Sequence, residues 1–148
     1  MILIRLYIIA VALASLLSLT QCQPVPTPEP FNGIQGLIEV ATPARNAVVC
    51  ADGQVTVTGK ARGFWYFEAS FPLEVLDVQG QPLGQSHAEA QSNWMTTEFV
   101  DFKGVINFRE PQGTEGKIVF HKDNPSGLPE NDQKYEMPVR FQPKEQCK

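Results

Sequence analysis

Beyond residue 36, apolar side chains recur at every second position, and turn formers interrupt them about every dozen residues. This pattern predicts seven strands, over residues 37–41, 54–59, 65–78, 83–90, 99–108, 117–121 and 134–141. In the second, Val55 and Val57 oppose Thr56 and Thr58; in the seventh, Tyr135, Met137, Val139 and Phe141 oppose Glu136, Pro138, Arg140 and Gln142. Pro138 has no N–H to give a ladder, which places that strand at an edge or a bulge. The fourth strand is weakly patterned, and Gly104 marks a break point in the fifth. The third is the richest. Its alternation sets Trp65, Phe67, Ala69, Phe71, Leu73 and Val75 on one face, and Tyr66, Glu68, Ser70, Pro72 and Glu74 on the other. Burying one phenylalanine stabilises a fold by about 1.5 to 3 kcal/mol, so packing alone accounts for most of these rings.

No segment offers an amphipathic helix of three turns. Short strands with regular turns and one apolar face predict an all-β fold, an antiparallel β-sandwich of about seven strands over residues 36–148.

The start of the chain differs. Residues 1–21 carry one charge, Arg5, ahead of an apolar run over residues 6–19. That run is short for a membrane span, which needs about 20 residues, and reads as an export signal peptide. It ends in "LTQC", which resembles a bacterial lipobox with Cys22 as the acylated residue; Gln21 stands where a small residue is usual. A secreted form and an uncleaved anchor are the alternatives. Residues 22–35 hold Pro24, Pro26, Pro28 and Pro30 and read as an extended tether reaching roughly 30 Å. With acylation at Cys22, Cys50 and Cys147 remain as an even pair in an oxidising compartment, either as a disulfide or as two free thiols. The net charge is −4, and −5 without residues 1–21; this excludes nucleic acid, whose binding needs a basic face.

Three stretches resemble a known family. They are "GKARGFWYFEASFPLEVLDVQGQPLGQ", "NWMTTEFVDFKGVINF" and "GKIVFHKDNPSGLPENDQKYEMPVRF". Together they are similar to the immunoglobulin-like domain of bacterial spore germination, often found beside GerMN domains in surface lipoproteins. Gly59, Ala61, Phe64, the Phe67-Glu68-Ala69 run, the region of Trp94 and Thr97, and "KDNPSGLPE" at residues 122–130 carry the likeness. The resemblance implies an immunoglobulin-like sandwich serving as an accessory binding or assembly module of extracytoplasmic bacterial proteins, with no catalytic residues to carry over. Two features depart from that pattern: no GerMN segment accompanies the domain in this sequence, and Cys50 and Cys147 are additional.

Candidate chemistry is sparse. The two histidines, His87 and His121, lie on separate strands, and no serine or cysteine sits in a nucleophile motif. Glu68 and Glu74, six residues apart on one strand, would stand about 20 Å from each other, beyond the reach of paired carboxylates. Asp123, Asn124, Glu130, Asn131 and Asp132 are oxygen ligands of the kind calcium takes, but they match no EF-hand spacing and are ordinary turn formers. No catalytic residue, metal or cofactor is expected.

Strand parity adds a geometric expectation. Strands one and seven would run the same way, putting Cys50 and Cys147 at one pole. The opposite pole would gather residues 60–64, 91–98 and 122–133, together with the end of the tether. Arg62, Trp94, Asn124 and Asp132 are its candidate contacts, because loops on a rigid scaffold carry most recognition; the alternative for Trp94 is a plug closing the sandwich. The expected function is a non-enzymatic binding or assembly module of the bacterial envelope, held at the membrane by a lipid, or else secreted. Its expected partner is an envelope protein or cell-wall component. The runner-up is a small secreted carbohydrate-binding or hydrolase-like domain.

Overall fold

The computed structural model describes residues 36–147. The predicted signal peptide, Cys22 and the tether up to residue 35 lie outside the described residues. Eight strands form the domain: β1 (Ile38–Thr42), β2 (Val48–Cys50), β3 (Gln54–Arg62), β4 (Ser70–Asp77), β5 (Pro82–Ala90), β6 (Phe99–Asn107), β7 (Glu115–His121) and β8 (Lys134–Gln142). They make one continuous sheet in the order β1-β3-β6-β5-β4-β7-β8-β2. β5 is the corner of that sheet. It pairs with β4 along most of its length, but its ladder to β6 is short: Ala88 stands opposite Gly104, Glu89 opposite Lys103 and Ala90 opposite Phe102.

The sheet curls about this corner, so that β1, β3 and β6 face β4, β7, β8 and β2 across one core. Ring contacts across the core show the closure, and two of them, Phe71–Phe102 and Phe102–Phe120, join strands that are not neighbours. Tyr66 meets Phe71 of β4 at 5.1 Å, Phe71 meets Phe102 of β6 at 5.1 Å, and Phe102 meets Phe120 of β7 at 5.9 Å. Phe108 and Phe141 approach to 5.8 Å near the far end. The first two pairs are edge-to-face, a geometry worth about 0.5 to 1.5 kcal/mol beyond area burial. This all-β arrangement is compatible with an immunoglobulin-like sandwich whose two sheets remain joined through β5.

The structure adds to and corrects the strand pattern. β2 is the extra strand, three residues long, and it pairs in parallel with β8, Cys50 standing opposite Gln142. A single 3-10 turn, Lys144–Gln146, then brings Cys147 back, and the two cysteines form a disulfide with Cα atoms 6.0 Å apart. Register with β8 therefore sets this bond, rather than the direction of the first strand. Gly104 breaks nothing. It pairs with both Val57 and Ala88, and a Cβ there would stand 2.6 Å from Leu73 Cδ1, so the position packs against the facing arm. Pro138 lies on the part of β8 that β2 leaves open, where its carbonyl accepts from the Asn46 N–H at 2.8 Å. A strand residue's nitrogen and carbonyl leave on the same side, so the missing N–H also falls on this open edge, as expected for proline.

The third predicted strand is wrong over its first five residues. Residues 63–65 form a 3-10 turn, and Glu68 and Ala69 take φ of 48° and 62°. Phe67 and Ser70 exchange backbone hydrogen bonds at 2.9 and 3.1 Å, closing a two-residue hairpin whose left-handed pair matches a type I′ turn. The reversal resets the alternation. Tyr66, expected outside, is buried, and Phe67, expected inside, is exposed.

The outer face of β7 and β8 carries a charge network in which Lys117 and Lys134 each approach Glu136 at 2.7 Å. Hydrogen bonds from Lys117, then Lys134, hold the Glu136 carboxyl below its ordinary value. A depressed folded-state value stabilises the fold above the unfolded pKa, and that stability is lost as pH falls through the folded one. Glu136→Gln should therefore flatten the acid side of the stability profile, by less than about 1 kcal/mol because the pair is solvent-screened. Urea midpoints at neutral pH and at about pH 3 would check this, the wild type falling further than the variant.

Candidate functional site

The three segments assigned to one pole do meet there. Gly63 donates its N–H to Glu98 O at 3.0 Å, and Asp123 donates to Trp65 O at 3.0 Å. Gly63 is pressed against residues 94–96: a Cβ on it would stand 1.9 Å from Thr96 O and 2.3 Å from Trp94 O. Tyr66 ties the same segment to β6, donating its hydroxyl to Val100 O at 2.6 Å. Burial holds that hydroxyl far above its ordinary pKa, so it remains a donor. The start of β1 adjoins this pole as well, since Arg62 N–H donates to Leu37 O at 2.9 Å.

Each candidate residue has a definite place. The Arg62 guanidinium lies 4.1 Å from the Phe99 ring centroid, 3.7 Å from a Glu98 carboxylate oxygen and 3.4 Å from Thr97 O. It acts here as a brace for the 94–98 segment. Trp94 is half-buried and packs against the core. Asn124 donates from Nδ2 to Asp132 Oδ1 at 2.6 Å and to Leu128 O at 2.8 Å, cinching the loop over residues 122–133. Arg62 thus braces the segment that carries Trp94, while Asn124 and Asp132 hold each other.

Phe64 already falls within the pole expected from the sequence, but sequence reasoning missed the apolar display it joins. Phe64, Phe67, Met95 and Leu128 are exposed. Only the hairpin reversal turns Phe67 outward, and no periodicity announces that reversal. A second missed pairing lies on the outer face of β4 and β7, where His121 Nε2 stands 3.4 Å from Glu74 Oε2 and Gln85 donates to Glu74 Oε1 at 3.0 Å. These residues line an open depression of about 880 Å³ with His87 and Asp123. Among the described residues, no three His, Cys, Asp or Glu side chains are grouped to hold a metal ion.

The model of one family, described as the immunoglobulin-like domain of bacterial spore germination, matches residues 37–128. β8 and Cys147 lie beyond that span. No curated protein matches the chain.

Proposed function

Because the chain belongs to the family of the immunoglobulin-like domain of bacterial spore germination, we propose that it is a non-enzymatic binding or assembly module of the bacterial cell envelope. The disulfide and the domain type point to an extracellular location, and acylation of Cys22 would hold the domain at the membrane. The observation that carries the reading is the braced pole: three segments locked to one another on a closed β scaffold, with apolar side chains left outward. A rigid scaffold that presents loops in this way suits recognition. The carbohydrate-binding alternative is supported less, because Trp65, Tyr66 and Phe71 are buried and only Phe64 and Phe67 of that stretch are offered for stacking.

In-cell crosslinking of the full exported chain with mass spectrometry tests this. Adducts to another envelope component are expected at Lys60 and Lys122, beside the pole, and an acylated N-terminus at Cys22. Adducts confined to Lys103 and Lys144 would move the surface elsewhere. An unmodified N-terminus beyond Cys22 would sink the lipid anchor.

A further inference from the structure

We infer that the braced pole docks a protein segment pairing an apolar anchor with Lys or Arg flanks; this rests on the pole being the binding surface. Met95 is 74% exposed, Leu128 50%, Phe64 48% and Phe67 41%, on three segments joined by the Gly63–Glu98 and Asp123–Trp65 hydrogen bonds. Large apolar groups displayed together on a braced surface mark interaction sites.

The charge around them selects the occupant. Lys60 is paired with Glu39 at 3.0 Å and Arg62 with Glu98 at 3.7 Å. Among the described residues no ion pair engages Glu68, Asp123, Glu130 or Asp132, nor Lys122 beside them, so carboxylates outnumber ammonium groups and the rim is net acidic. Two acidic rims repel, which opposes face-to-face pairing of two copies, and anionic lipid headgroups are repelled likewise. A basic-flanked apolar segment instead meets attraction at the rim and burial at the centre, the layout of a protein interface.

The probes are a labelled 12-residue peptide alternating leucine and lysine, its leucine and glutamate counterpart, and phosphatidylglycerol vesicles, each titrated onto the full-length chain. The lysine peptide should bind with an affinity that falls as salt rises. Binding should weaken at least tenfold in Phe64→Ser/Met95→Ser and several-fold in Glu68→Gln/Glu130→Gln, with both variants melting as the wild type does. Equal binding of the two peptides, no binding of either, or unchanged binding by the serine variant overturns the inference. So do vesicle binding or dimerisation that depends on Met95. A photocrosslinker at Met95, with Val78 as control, separates the two readings: adducts to a partner without basic flanks leave the pole as the binding surface and overturn only its chemistry, whereas no adducts overturn both.

Discussion

Cys147→Ser should lower the unfolding free energy by about 4.7 kcal/mol, the loop-entropy value for a crosslink spanning 97 residues. The local structure argues for an effect of this size. β2 has three residues and contributes one buried side chain, Val49, so little besides the ladder to β8 and the disulfide retains it. Denaturant midpoints should fall equally for Cys147→Ser, for Cys50→Ser/Cys147→Ser and for the wild type under reductant. Amide exchange should quicken first in residues 48–50 and 142–147, while the braced pole keeps its protection. A double variant as stable as the wild type would show that β2 and β8 hold without the staple.

Most strands are legible because their inward residues alternate without interruption. Val55 and Val57, or Tyr135 through Phe141, predict their faces directly, and those faces are buried. β2 is illegible for a simple reason: three residues give no period to read. The hairpin at Glu68 and Ala69 is hidden differently. A type I′ turn ordinarily shows Asn-Gly, and here neither central residue is glycine or asparagine, so the flanking rings read as unbroken alternation. At the pole, strand parity is enough to bring the segments together. The commitments of individual side chains are not legible, since the stacking of Arg62 on Phe99 and the Asn124 bond to Asp132 depend on local geometry.

Gly63→Ala tests whether that geometry matters to function. The new Cβ would meet two backbone carbonyl oxygens, at 1.9 and 2.3 Å, and neither can swing aside as a side chain could. Either the 94–98 segment lifts away or the 63–65 turn shifts, and the Gly63 bond to Glu98 is strained in both cases. The expected loss is about 3 kcal/mol, the upper part of the usual range for overpacking. Gly113→Ala is the matched control, because a Cβ there meets nothing within 4 Å. Calorimetry should place Gly63→Ala well below the wild type and Gly113→Ala beside it. Amide exchange should quicken over residues 91–98 while residues 48–50 stay protected, which distinguishes release of the pole from general unfolding. If Phe64 and Met95 recognise a partner as one surface, the same variant should also lose crosslinks from Met95 at temperatures where it remains folded. Retained crosslinks with a lowered melting temperature would make the brace a matter of stability alone.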